Sequence, residues 1–254
     1  MLTTVHEFKT ILLQREDDIV QITLNRPDRL NAMDDLMFEE IPQAVSMIAQ
    51  DETVRVVIYT GAGRAFSAGR EIAALLARAN APEVFGVPKA AGREMDFVTG
   101  LQMPVIAAVN GAAAGAGMGV ALLADFRIAS ESAVFAEAHV QRGLTPSVAA
   151  WYLPRLMGVA KAMEVLLLEK RITASEALDY GLVNSVVPND QLMKEAWVLA
   201  RKLAELPPLT VRFTKHCVQQ GLNDSLESVR VSAGWAQMLT RLRTDEQKMA
   251  PTKK

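Results

Sequence analysis

The sequence predicts an α/β protein built on a sheet of repeated βα units, and three observations carry that expectation. A β-prone run, a loop of small residues and a helical run follow one another twice, at 54–79 and 105–124, each time with glycine at the strand's end. Repetition of this unit favours an α/β sheet with ligands at the carboxyl ends of the strands. Beyond Leu144-Thr145-Pro146 the pattern turns mainly helical. With 254 residues, 50% of them hydrophobic, the chain is long enough to bury a large core.

Taken in order, Thr10 to Gln14 and Ile19 to Leu24 are β-prone, and Arg15-Glu16-Asp17-Asp18 between them suits a turn, so a hairpin is expected. A polar turn from Asn25 to Met33 carries Arg26 and Arg29, and a helical pattern covers 34–50. Pro42 lies inside that pattern and is expected to kink or divide it, because it lacks an N–H and crowds the preceding turn. Val54 to Thr60 is a strand, 61–69 a small-residue loop, 71–79 a helix, 80–89 a loop and 92–102 a helix candidate. Phe126 to Ala129 and Ala133 to Phe135 are short strands, and Asp125 and Arg127 read as structural charges. Helices follow at 148–157, 160–168 and 174–180, the last started by Thr173, with long runs from Gln191 and Pro208. A stripe of Leu, Val and Trp235 over 223–243 reads as packing against the core or a neighbouring subunit.

The totals exclude several function classes. Lys plus Arg is 27 and Asp plus Glu is 29, a formal charge of −2, so nothing in the balance points to nucleic acid or a membrane surface. Cys217 is the one cysteine and reads as a packing residue; an internal disulfide is excluded, which fits a reducing compartment. The chain opens without a basic, apolar leader and has no apolar run of about 18 residues. The cytoplasm is therefore the expected location. No metal site is expected.

The stretch with most chemical content runs from Met103 to Gly119, an apolar strand that ends in a loop of tiny side chains around Met118. The run resumes at Val120, so the loop leads into a helix whose first N–H groups have no partner within it. Bare donors beside a gap suggest an anion or oxyanion site. Other glycine motifs fail here. A dinucleotide fingerprint at Gly61 and Gly63 meets Phe66 where helix and strand must approach closely. A hydrolase elbow at Ser67 has Ala65 in place of its flanking glycine. No Walker lysine follows any of these glycines.

Four segments in order resemble the crotonase superfamily, the enoyl-CoA hydratase/isomerase fold, over most of the chain. They are Leu24-Asn25-Arg26-Pro27 with Asn31-Ala32-Met33, Thr60 to Gly69, Pro104 to Gly111, and Ala174 to Asn184. The resemblance implies a spiral of repeated ββα units over 1–195 and a C-terminal helical trimerisation region over 196–254. It implies a homo-oligomer, a trimer or a hexamer. The ligand it implies is an acyl-CoA thioester, with coenzyme A entering as part of the substrate and no tightly bound cofactor. The thioester oxygen would be held by the backbone N–H groups of Arg70 and Ala116, beside Ala68 and Gly115, and one such donor is worth about 3 kcal/mol. Arg26 and Arg29 are the candidate cations for CoA.

The same comparison exposes a departure. Family hydratases place two glutamates where this chain has Gly119 and His139, and the isomerase carboxylate falls in Leu144-Thr145-Pro146-Ser147-Val148, which carries no acid. His139 is then the candidate acid or base, oriented by Glu137 if both side chains share a face. Arg70 either holds a substrate carboxylate or pairs with a surface acid. The expected activity is of the hydratase/isomerase type, a lyase or isomerase. Hydrolysis of a thioester or of a C–C bond beside a ketone, and non-catalytic CoA or partner binding, are the alternatives on the same fold.

Overall fold

The computed structural model describes residues 2–71 and 93–249, so the helix and loop expected over 72–89 lie outside the described residues. The N-terminal strands β1 (Thr3–Glu7), β2 (Ile11–Glu16) and β3 (Ile19–Leu24) form an antiparallel meander. Asp17 makes the β2–β3 turn with φ of +55°, a left-handed conformation that Asp tolerates. After a polar turn comes α1 (Met37–Gln50), which runs unbroken through Pro42. Only one backbone bond is lost there, and Phe38, Ile41, Ala44, Val45 and Ile48 bury a continuous face that holds the helix together. Glu40 anchors α1 to the hairpin by accepting bonds from the N–H of Lys9 and from the N–H and hydroxyl of Thr10.

From here the chain winds as a spiral. Each turn gives one strand to a large sheet and the next to a small one: β4 (Val56–Gly61) then β5 (Ala65–Ser67), β6 (Val105–Val109) then β7 (Ala112–Ala114), β8 (Phe126–Ser130) then β9 (Val134–Ala136). Helix α2 (Ala116–Leu123) follows β7, while α3 (Val148–Met157) and α4 (Val159–Leu167) follow β9. The short β10 (Ile172–Thr173), α5 (Ala174–Asp179) and β11 (Ser185–Val187) close the body. Thr173 caps α5 with a reciprocal bond to Glu176. The large sheet has the order β1-β2-β3-β4-β6-β8-β11, parallel from β3 onward, and the small one is β10-β9-β7-β5.

Alternation along the strands supplies two cores. Val57, Tyr59, Val105, Ala107 and Val109 face the main core, whereas Val56, Ile58, Ile106, Ala108 and Ile128 face Leu192, Ala196 and Ala200 of α6 (Leu192–Ala204). Both faces are covered, which is why these strands read as continuous apolar runs. Helix α6 spans the expected 195/196 boundary, with Leu192, Ala196 and Ala200 all on the packed face. Helices α7 (Pro208–Gly221) and α8 (Leu226–Met249) form an attached pair. Lys215 docks α7 by a 2.8 Å pair with Asp125 and a bond to the carbonyl of Met103. Asp125 and Arg127 are structural, as expected: Arg127 donates to the carbonyls of Leu182 and Ala124, and burial pushes its pKa down.

Three expectations need correction. The 61–69 loop contains β5 and the 110–119 loop contains β7, because pairing between neighbouring turns makes strands of segments too short to be read alone. Helix α2 starts at Ala116, before Val120, its glycines being buried among packed neighbours. In the 92–102 stretch the described residues form only a 3-10 turn, Arg93–Phe97.

Candidate active site

The C-terminal ends of β5, β7 and β9 lie side by side, since β7 pairs in parallel with both neighbours. They open into a cleft of about 510 Å³ whose lining includes Ala68, Gly69, Arg70, Gly115, Ala116 and the Glu137–His139 segment. Six residues singled out from the sequence are therefore brought to one place.

The first arm is the segment after β5. It is held against residues 30–33 by bonds from Ala68 N–H to Leu30 O, Met33 N–H to Gly69 O and Glu71 N–H to Met33 O. In this parallel bridge Met33 and Glu71 supply the N–H groups that cross, and Arg70 turns its own N–H away from Met33. Gly69 has φ of +86°, and a methyl built on it would lie 2.5 Å from the Ala114 carbonyl and 3.3 Å from Ala116 N. The Gly69–Arg70 peptide thus lies alongside the first peptide of α2. Only glycine fits that approach.

The second arm is the start of α2. The bond from Gly119 N–H to Gly115 O is its first regular turn, so the N–H of Ala116 precedes any intrahelical acceptor. Ala116 is helical, without positive φ, so its methyl costs no backbone strain. Gly117 packs on Ser67, and Ser67 donates to Asn31 O while its Oγ accepts from Gly69 N–H. Asn31, fully buried, donates to the carbonyls of Ala62 and Ala65. Asn110 bonds the carbonyls of Gly61 and Gly63. Asn31, Ser67 and Asn110 are braces that were not singled out as site residues. Their signal was polar side chains inside otherwise apolar or small-residue motifs.

The third arm follows β9. Glu137 is 3% exposed and its carboxylate accepts a hydrogen bond from Nδ1 of His139. The pairing was anticipated for an extended segment, but His139 is helical, starting a 3-10 turn, and folds back onto Glu137. The bond to Glu137 raises the pKa of His139, partial burial opposes it, and the charges of Glu137 and Glu94 add to the rise. Its Cε1 is 3.5 Å from a methyl built on Gly115. The imidazole therefore sits beside the first peptide of α2.

The arginines fare differently. The Arg70 guanidinium donates to Asp35, an exposed acid, at 3.1 Å and lies 4.8 Å from the centre of the Phe38 ring. Arg26 pairs with Asp34 and Glu71 and donates to the Ala32 carbonyl, so a CoA phosphate would compete with two carboxylates for it. Arg29 is exposed on the 3-10 turn Pro27–Arg29. Neither Arg26 nor Arg29 is among the described lining of the cleft.

The chain is a ββα spiral with a cleft at the ends of three parallel strands, lined by Ala68, Arg70, Ala116 and the Glu137–His139 pair. The family model described as enoyl-CoA hydratase/isomerase matches residues 14–252. The chain is 37% identical over 239 residues to the probable enoyl-CoA hydratase EchA12 of Mycobacterium tuberculosis, covering 89% of this chain and 83% of that one. It is 35% identical over 222 residues to 1,2-epoxyphenylacetyl-CoA isomerase of Escherichia coli, covering 86% and 85%. Among solved structures, enoyl-CoA hydratase from Bacillus anthracis superposes with a TM-score of 0.83 at 33% identity, covering 96% and 98%. The chain belongs to the enoyl-CoA hydratase/isomerase family and is an acyl-CoA enzyme of that type.

Proposed function

We propose that the chain binds an enoyl-CoA thioester with its carbonyl oxygen between the N–H groups of Arg70 and Ala116, and that His139 moves a proton at the acyl α-carbon. The observation that carries this reading is the placement of His139, tied through Nδ1 to buried Glu137 and set against Gly115 next to Ala116. As the double bond is attacked, charge gathers on the thioester oxygen, and fixed donors stabilise it without reorganising. The bond to Glu137 raises the pKa of His139, so the imidazole holds its proton to higher pH than a free one, which suits it to donate from Nε2. Coenzyme A enters as part of the substrate, and Arg29 is the remaining exposed cation of the first turn for its phosphates.

The test is turnover of crotonyl-CoA and longer 2-enoyl-CoAs, with isomerisation of 3-enoyl-CoAs assayed in parallel. His139→Ala is expected to lower kcat by about 100-fold or more with the fold retained by circular dichroism. Unchanged rates would remove His139 from the mechanism. The reading also includes a homo-oligomer assembled through the C-terminal helices, supported by the exposed apolar side chains of α8.

A further inference from the structure

Glu94 occupies a position that no motif in the sequence marks. It lies on the Arg93–Phe97 turn, which is fixed by fully buried Phe97: the Tyr59 hydroxyl donates to the Phe97 carbonyl at 2.6 Å, and the Phe97 ring packs at a tilt against Phe38. From there the Glu94 side chain reaches across to α2. A methyl built on Gly119 would stand 3.2 Å from Cγ and 3.3 Å from Oε1 of Glu94. The Glu94 side chain thus lies over the part of α2 that a side chain at 119 would otherwise cover, and the Ser147 hydroxyl donates to its Oε1 at 3.3 Å.

Residues three apart share a face of a helix, so Glu94 comes to α2 one turn beyond Ala116. His139 comes to the same helix at Gly115, just before Ala116. The two titratable side chains thus meet α2 four residues apart, at Gly115 and Gly119, and the charge of Glu94 is felt by the imidazole. Adding water across a polarised double bond needs a proton acceptor for the water and a proton donor for the carbon, on separate groups. The proposed reaction assigns only the donor.

We infer that Glu94, carried by a turn outside the glycine loop, is the second catalytic group of this site and the proton acceptor; this rests on the function proposed above. The Glu94 carboxylate takes a proton from water as the water oxygen bonds to Cβ. The Cα=Cβ π pair shifts into the Cα–C1 bond and the carbonyl π pair moves onto the thioester oxygen, giving the enolate held by the two N–H groups. The enolate then collapses as His139 Nε2–H gives its proton to Cα. The sum adds H and OH to the double bond, and after product leaves, solvent carries the proton from Glu94 back to His139.

The test compares wild type, Glu94→Gln, Ser147→Ala and the double variant Glu94→Ala/Gly119→Glu on crotonyl-CoA, with each fold checked by circular dichroism. Glu94→Gln is isosteric and is expected to lose about 100-fold or more in kcat with KM within a few-fold of wild type, while Ser147→Ala keeps most of the activity. Gly119→Glu places a carboxylate in the space that Glu94→Ala vacates, and is expected to recover at least about tenfold over Glu94→Gln. Near-normal turnover by Glu94→Gln overturns the assignment whatever the double variant does. An equal loss in Glu94→Gln and Ser147→Ala, without rescue, makes Glu94 a brace and also overturns it. A wild-type protein with no turnover of any enoyl-CoA overturns the proposed function itself, and the role of Glu94 with it.

Discussion

His139 shows how one bond sets both charge and position. Its pKa is raised chiefly by the hydrogen bond to Glu137, so the folded state holds the protonated imidazole more tightly than the unfolded chain does. That contribution to stability is fully present below the unfolded value of about 6.5, and it is lost as pH rises through the raised folded value. The Tm gap between wild type and His139→Gln is therefore expected to be wider at about pH 5.5 than at about pH 9, as read by thermal unfolding, and to lose its pH dependence in a Glu137→Gln background. A gap that is flat with pH, or wider in alkali, would contradict the pairing. Arg26 illustrates the opposite case. Its place beside a family motif suggested a phosphate, but Asp34 and Glu71 arrive from later in the chain and engage it.

At the scale of elements, the first two arms of the cleft are held by contact between segments, Gly69 lying against the Ala114 carbonyl and Gly117 against Ser67. Gly69→Ala puts a methyl against the Ala114 carbonyl at a left-handed φ. A cost of about 2 kcal/mol or more is expected, with turnover falling further than stability because the Arg70 peptide is displaced. Thermal unfolding and kcat/KM measured together check this; an unchanged kcat/KM would show that the approach of the two arms is not needed. The long strands β3, β4, β6 and β8 were legible because β-branched runs buried on both faces have few other uses. β5 and β7 were not, being three residues long and defined by their neighbours. The segments that reach the cleft at Arg70 and Ala116 were legible only through the motifs around them, since a backbone N–H has no side-chain signature. Glu94 was illegible for a further reason: its role depends on a turn pinned by Tyr59 and Phe38, far from it in sequence.

For the whole molecule, the body ends with α6 and the α7–α8 pair stands apart, with no residue of α7 buried in the chain. Val231, Trp235, Leu239 and Leu242 form one exposed stripe along α8, Trp235 being 62% exposed. Such a stripe is the expected interface of the proposed oligomer. Light scattering should give a trimeric or larger mass for wild type and a smaller one for Trp235→Glu/Leu239→Glu; a monomeric wild type would refute the assembly. The cleft also has a history in time. Its arms come from three successive turns of the spiral, at Gly69, Ala116 and His139, and each turn finds its strand partner in the next. A chain that has made two of these turns carries the Arg70 and Ala116 segments but not the Glu137–His139 pair, so the cleft is complete only when the third turn has docked.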